Sequence, residues 1–111
     1  MNNLVYLIGR LVSDPELKKS DTSKEHASII LAVQRAFKNS DGIYETDFIR
    51  CSLWNGIAQN THEFCKKGDL VGLRGRLQVR SYEENDEIKY ITEVVAEKVT
   101  FLSSKRQEEA E

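Results

Sequence analysis

Residues 72–82, GLRGRLQVRSY, alternate between two kinds of side chain with a period of two. Apolar residues and a glycine occupy one side of the segment: Leu73, Gly75, Leu77 and Val79. Polar side chains and one ring occupy the other: Arg74, Arg76, Gln78, Arg80 and Tyr82. This alternation predicts a β-strand with one buried face and one face in solvent. A chain with such a strand must build a sheet or barrel whose outer surface is rich in arginine.

Four other segments have strand character, and one has helical character. We predict strands over 3–12, 26–37, 44–54, about 69–82 and 89–102. In the first strand, Gly9 predicts a bend or bulge, and residues 13–25 read as a polar connection. Residues 55–68 carry apolar residues at helical spacing, with Gly68 as the stop.

Three strands, one helix and two strands are typical of a small closed barrel. The order fits an all-β protein with a five-stranded Greek-key barrel, the OB-fold, and its helix between strands 3 and 4. An open antiparallel sheet with one helix and an SH3-like barrel are the alternatives that the pattern leaves open.

The length of 111 residues predicts one domain with a single core. We assign residues 1–103 to the barrel and 104–111 to a short flexible polar tail. No apolar run approaches a membrane span, and the N-terminus lacks the pattern of a secretory signal. Cys51 and Cys65 have neither metal-pair nor disulfide-framework spacing. We therefore expect a cytoplasmic protein with no cofactor, no metal and no membrane partner.

The net charge of −2 hides a separation of charge along the chain. Residues 35–82 hold eight basic residues against five acidic ones, whereas residues 83–111 hold four against nine. The local field decides what an anion meets, so a weakly acidic protein can present a basic face.

Aromatic side chains and arginines occur together on the strand faces that are predicted to point away from the core. The third strand carries Phe48, Arg50 and Trp54 on one face, and Arg35 and Phe37 follow the apolar run of the second strand. Single-stranded nucleic acid needs both kinds of group, because cations hold phosphates and rings stack on unpaired bases. The candidate DNA-binding residues are Arg35, Phe37, Phe48, Arg50, Trp54, Arg74, Arg76, Arg80 and Tyr82.

The sequence argues against an enzyme. His26 and His62 have no plausible nucleophile at a useful spacing, and the six glycines are too scattered to form a phosphate loop. Glu93 and Glu97 have no evident partner for activating water. We predict a binding protein that catalyses no reaction.

Several segments resemble bacterial single-stranded DNA-binding proteins, in an order and spacing that together are specific. The matching segments are Gly9-Arg10-Leu11, Asp14-Pro15-Glu16, LAV at 31–33, DFIRCSLW at 47–54, KKGDLVGLRGRLQVRSY at 66–82 and YITEVVAE at 90–97. The resemblance covers about residues 2–103. It implies sequence-independent binding and protection of single-stranded DNA in replication, recombination, repair or DNA uptake. It also implies a homotetramer of OB-folds associated with the nucleoid.

The resemblance assigns roles to individual residues. It implies base stacking at four rings, Phe37, Phe48, Trp54 and Tyr82. It implies basic contacts to DNA at two arginines, Arg50 and Arg80. Arg74 and Arg76 rest instead on the alternation of their strand. The rival interpretation is an OB-fold protein-interaction module of the replication-restart type, with modest affinity for single strands. An RNA-binding barrel ranks below both, because stacking does not distinguish the sugar.

Two features depart from the family pattern. Residues 19–26 lack the glycine usual in the first hairpin, and the chain has no long linker leading to an acidic tip with an apolar pair. Residues 106–111 are acidic without such a pair. We therefore expect no recruitment of replication or repair enzymes through a tail, as in short forms of the family.

Overall fold

Six strands and one helix account for the regular structure of residues 1–104, which are the residues that this computed structural model describes. The strands are β1 (Val5–Leu11), β2 (Lys18–Lys19), β3 (Glu25–Lys38), β4 (Tyr44–Trp54), β5 (Leu70–Glu84) and β6 (Glu87–Ser103), and the helix is α1 (Asn55–Phe64). The five long strands and the position of the helix confirm the predicted order. The predicted tail lies outside the described residues, except for Ser104, which is buried.

The five long strands close into a barrel. Neighbouring strands follow the order β1-β5-β6-β4-β3, and β1 also pairs with β3 through Arg10 and Leu11, which completes the ring. All these pairings are antiparallel except that of β4 with β6, which is parallel. A closed ring of five strands with one helix between the third and fourth long strands is the OB-fold arrangement, so the open-sheet alternative is wrong.

The short strand β2 was not expected, since residues 13–25 were assigned to a polar connection. Lys18 and Lys19 pair with His26 and Glu25 at the open edge of β3. Both lysines are exposed, so the sequence has no alternation of apolar residues here that would indicate a strand. Exposed lysines on a short edge strand also discourage pairing with other chains.

Gly9 allows β1 and β3 to approach each other closely, and the prediction of a bulge at this residue is wrong. The pairing of β1 with β5 runs without interruption through Gly9 and Val71. A Cβ atom on Gly9 would lie 2.6 Å from the carbonyl oxygen of Ala32, where β1 meets β3. Irregular register occurs instead between β5 and β6, at Leu70/Val71 and at Arg74/Gly75, and between β3 and β4 at Gln34/Lys38. A side chain at Gly9 would therefore obstruct the seam that closes the barrel.

The core lies inside the barrel and beneath the helix. Its largest fully buried side chains are Leu31, Leu53, Leu73, Val71 and Cys51. Ala58 and Thr61 of α1 are also buried, so the helix covers one end of the barrel. Leu53 and Cys51 form the inner side of β4.

Two residues predicted for the core are exposed. Leu73 and Gly75 are buried, but Leu77 and Val79 on the same side of β5 are open to solvent. Beyond Gly75, β5 continues with β6 as a long hairpin that extends past the packed interior. Alternation gives the side on which a residue lies, but not the point at which the strand leaves the core.

The helix ends earlier than the sequence suggests. Phe64 is its last residue, and Cys65 is already extended, with its N–H donating to the carbonyl of Thr61. Gly68 has a left-handed φ of 89° and its N–H donates to the carbonyl of Leu11. Gly68 therefore forms the turn into β5 and does not terminate the helix directly. Within residues 1–104, no helix is long and apolar enough to cross a membrane.

Candidate nucleic-acid interface

One outer face of the barrel spans β3, β4, β6 and β5 in that order. In antiparallel pairs, residues directly opposite share a face, so Arg50 lies beside Ile30 and Trp54 beside His26. Cys51 and Leu53 alternate with these residues and are fully buried. Phe48, Arg50 and Trp54 therefore point away from the core, as predicted.

A cleft of about 320 Å³ lies on this face. It is lined by His26, Ser28, Arg50, Ser52, Trp54, Gln78, Arg80 and Glu93. The parallel pairing of β4 with β6 and the β5–β6 hairpin bring these residues together. Three of the predicted DNA-binding residues, Arg50 and Trp54 of β4 and Arg80 of β5, thus share one cleft.

All four predicted stacking rings are accessible. The exposed fraction is 84% for Phe37, 67% for Phe48, 41% for Trp54 and 37% for Tyr82. Tyr82 follows Arg80 on the same side of β5, whereas Phe37 lies where the β3–β4 register is irregular, between Gln34 and Lys38. Each ring can therefore meet a base without disturbing the core.

Trp54 packs against His26, a residue whose role in the site is not apparent from the sequence. The ring centroids of His26 and Trp54 are 4.3 Å apart, with a tilt of 46° between the planes. The Nε2 atom of His26 and the Oγ atom of Ser52 are 3.1 Å apart, within hydrogen-bonding distance. These two contacts fix the indole at the junction between β4 and α1.

Arg35 does not belong to the cleft. Its Nε and Nη2 atoms donate to the carboxylate of Asp47 at 2.9–3.3 Å, and its Nη1 donates to Glu45 at 2.5 Å. Hydrogen bonding from Arg35 lowers the pKa of Asp47, and that bond with Asp47 raises the pKa of Arg35. Asp47 and Glu45 lie on the opposite side of β4 from Phe48 and Arg50. The structure therefore places Arg35 outside the cleft that Arg50, Trp54 and Arg80 share.

The remaining arginines occupy different surroundings. Arg80 approaches Glu93, with Nε 3.4 Å from Oε1, and Arg76 donates to the side-chain oxygen of Gln78 at 2.7 Å. Arg50 has no ion-pair partner within residues 1–104. Arg74 lies farther along β5, between Tyr6 of β1 and Lys98 of β6. Arg50 and Arg80 thus line the cleft, and Arg76 contacts the lining residue Gln78, whereas Arg74 is not among the lining residues.

Glu93 is the unexpected member of the cleft. Only 9% of its side chain is exposed, although it lies on the arginine-rich outer face. Its position in the sequence, four residues before Glu97, does not indicate a place in the binding face. Its alternation with buried Val94 indicates an outward position, but the parallel pairing that brings it beside Arg50 and Trp54 is not visible in the sequence.

The thiols are unsuited to chemistry at this site. Cys51 and Cys65 are both buried and unpaired. Burial raises the pKa of Cys51 to about 12, and the negative charge of Glu93 contributes. A thiol with this pKa stays protonated near neutral pH and is a poor nucleophile. Among residues 1–104, no group of His, Cys, Asp and Glu side chains is arranged to hold a metal ion.

The closed barrel and its cleft of rings and arginines define an OB-fold protein with a face suited to a single-stranded polyanion. Residues 2–102 match the model of the single-strand binding protein family. The chain belongs to this family.

Relatives and a solved structure agree with this assignment. The chain is 45% identical to single-stranded DNA-binding protein B of Bacillus subtilis, over 99% of this chain and 98% of that protein. It is 50% identical to single-stranded DNA-binding protein 3 of Listeria innocua, over 96% of this chain and 67% of that one. A deletion mutant of the single-stranded DNA binding protein from Thermus aquaticus superposes with a TM-score of 0.79 at 28% identity. That match covers 94% of this chain and about half, 52%, of the Thermus aquaticus chain.

Proposed function

We propose that this protein binds and protects single-stranded DNA in replication, recombination, repair or DNA uptake, and that it acts in the cytoplasm at the nucleoid. The observation that carries the proposal is the cleft in which exposed Trp54 lies with Arg50 and Arg80. Membership of the single-strand binding protein family supports it. Retention of four accessible rings favours this function over the protein-interaction module.

The binding mechanism combines two kinds of contact. Bases stack on Phe37, Phe48, Trp54 and Tyr82, each stack contributing about 1–3 kcal/mol with little dependence on the base. Phosphates meet the arginines around the cleft and displace counterions, so affinity falls as salt rises. Arg35 contributes less than predicted, because Asp47 and Glu45 already neutralise its charge.

Duplex DNA lacks the features that this face recognises. Its bases are stacked on one another and cannot lie on the exposed rings. Reading a duplex commonly requires an element that enters the major groove. The helix α1 instead packs Ala58 and Thr61 against the barrel. We infer a strong preference for single strands.

Fluorescence of Trp54, the only tryptophan, tests this proposal directly. Titration with a thymidine oligonucleotide at low salt is expected to quench the emission, because a base stacks on the indole. A duplex of equal length should quench weakly, and high salt should reverse the effect of the single strand. Absence of quenching by the single strand, or equal quenching by the duplex, would contradict stacking at Trp54.

An apolar strip on β1 supports assembly into a homotetramer. Leu4, Tyr6, Ile8 and Val12 point outward from β1 or its ends and are exposed, as is Leu102 of β6. An exposed strip of this kind marks an interaction surface. Because β1 pairs with β3 only at Arg10 and Leu11, the earlier part of β1 also has an open edge.

We expect sedimentation equilibrium to give about four times the chain mass of 12.7 kDa. The variant Ile8→Glu should sediment as a smaller species, because it places a charge within the apolar strip. Glu16→Lys, a charge change at an exposed position away from β1, serves as the control. A monomeric wild-type protein would refute the assembly without affecting the proposal of DNA binding.

A further inference from the structure

His26 lies where two hollows of the outer face meet. It lines the cleft that Arg50, Trp54 and Arg80 share, and it also lines a neighbouring polar cavity of about 410 Å³. The other residues of that cavity are Ser13, Asp14, Glu16, Lys18 and Ser28. His26 is partly buried, and its ring contacts the indole of Trp54. A single strand that stacks a base on Trp54 therefore passes beside this imidazole.

Positively charged side chains flank His26 on both sides. Lys18 of β2 is its cross-strand partner on one side, is exposed, and lines the polar cavity. Arg50 of β4 lies in the cleft on the other side, together with Arg80 of β5. A phosphate backbone that follows these cations meets His26 between Lys18 and Arg50.

The hydrogen bonds of His26 leave one ring nitrogen available. Its Nε2 atom is 3.1 Å from the Oγ atom of Ser52, and a hydroxyl can donate or accept, so this contact is possible in either protonation state. The Nδ1 atom makes no hydrogen bond within residues 1–104, and no solvent-inaccessible side-chain nitrogen there lacks a partner. Nδ1 is therefore open to solvent. A protonated ring donates from both nitrogens, so it can keep Ser52 and offer Nδ1–H to an anion.

The carboxylates around His26 do not supply that anion. Asp14 and Glu16 line the polar cavity, and Glu93 lines the cleft. In the described part of the chain none of them lies within ion-pair distance of the imidazole, and Glu93 is paired with Arg80. The titratable groups of α1, which also packs against β3, line neither hollow: His62 and Glu63. A positive charge on His26 thus has cations beside it and no partner until a phosphate arrives.

We propose that protonated His26 binds a backbone phosphate where the single strand crosses Trp54, so that DNA binding takes up a proton. An imidazole ordinarily titrates between about pH 5 and pH 8, and a phosphate beside the ring favours its charged form. Affinity must therefore rise as the pH falls through this range. This inference rests on the proposed function and adds a phosphate contact to it. Because the contact is to the backbone, binding stays independent of sequence.

The pH dependence of binding tests the proposal. At constant ionic strength, wild-type protein is expected to bind a thymidine oligonucleotide about three- to sixfold more tightly at about pH 6 than at about pH 8. Ordinary carboxylates stay ionised at both values, and thymine does not titrate between them. Calorimetry at about pH 7, in buffers of different ionisation enthalpy, should show uptake of about half a proton per chain bound.

Two substitutions separate a phosphate contact from mere support of Trp54. His26→Phe keeps an aromatic ring against the indole but cannot be protonated, so it should bind as wild type does at about pH 8 and gain nothing at about pH 6. His26→Lys carries a charge at both values and should bind tightly at both. A purely supporting role would instead weaken both variants equally at the two pH values.

His62→Gln is the matched control, because His62 is the only other histidine. Its Nδ1 atom lies 2.8 Å from the carbonyl oxygen of Pro15, to which a glutamine amide can also donate. This variant should keep the pH dependence and the proton uptake of wild type. Loss of either in His62→Gln would assign the proton to α1 and overturn the proposal.

The wild-type protein alone can overturn the proposal, whether or not the variants fold. Equal affinity at the two pH values, or binding without proton uptake, would do so. A pH dependence in His26→Phe equal to that of wild type would overturn it as well. Failure of wild type to bind the oligonucleotide at either pH would instead refute the proposed function.

Discussion

Replacing both Phe48 and Trp54 by alanine is expected to weaken single-strand binding by a factor between about 30 and about 20,000. Two base stacks of about 1–3 kcal/mol each are lost, and each 1.4 kcal/mol corresponds to tenfold in affinity. Both rings are on the outer side of β4 and are accessible, so the barrel should remain folded. Fluorescence anisotropy of a labelled thymidine oligonucleotide measures the loss.

The salt dependence distinguishes stacking from charge. The slope of log affinity against log salt reports the number of phosphates neutralised, and it should be the same in the double variant and in wild type. Phe64→Ala is the matched control, because Phe64 is 67% exposed, like Phe48, but lies on α1. Unchanged affinity in the double variant, or an equal loss in Phe64→Ala, would refute stacking on β4.

Gly75→Ala is expected to destabilise the barrel strongly. A Cβ atom at Gly75 would collide with the backbone carbonyl of Val95, and the backbone of Ala96 lies immediately beside it. Backbone atoms in paired strands cannot move aside as a flexible side chain can. We expect a loss of about 2–3 kcal/mol in unfolding free energy, within the usual range for overpacking, or a fall of about 10–20 °C in Tm.

Gly56→Ala makes the same chemical change at a position without such crowding. No heavy atom lies within 4 Å of a Cβ atom built on Gly56, which is in α1. Alanine in a helix is favoured over glycine by about 0.5–1 kcal/mol, so this variant should be as stable as wild type or slightly more stable. Thermal unfolding followed by circular dichroism compares the two. Equal midpoints for Gly75→Ala and wild type would show that β5 and β6 can move apart.

The sequence was most informative where burial alternates within one strand. β4 begins and ends at the predicted residues, 44 and 54, because its apolar and polar sides differ clearly. The same rule misplaced Leu77 and Val79, since a strand keeps its alternation after it leaves the barrel. The short strand β2 was missed because its two lysines are exposed and its pairing is set by the chain reversal before β3.

The interface was predictable in its components but not in its assembly. Phe48, Arg50 and Trp54 follow from the alternation of a single strand. The ion pairs of Arg35 depend on how β3 and β4 continue past the barrel, where the register becomes irregular. Glu93 reaches the cleft only through the parallel pairing of β6 with β4. Contacts between distant parts of a chain are set by topology, which one strand's pattern does not contain.

The seam between β1 and β5 has a consequence for the order of events during protein synthesis. Val5 leaves the ribosome well before its partner, Gly75. The β3–β4 hairpin can form early, because its strands are neighbours in the sequence. By contrast, β1 cannot pair with its main partner, β5, until most of the domain has been synthesised. Closing such a long loop slows folding, because entropy is lost before the new contacts compensate for it. Until then β1 of the nascent chain is an unpaired strand with exposed apolar side chains. During this interval the chain is most prone to aggregation and to chaperone binding.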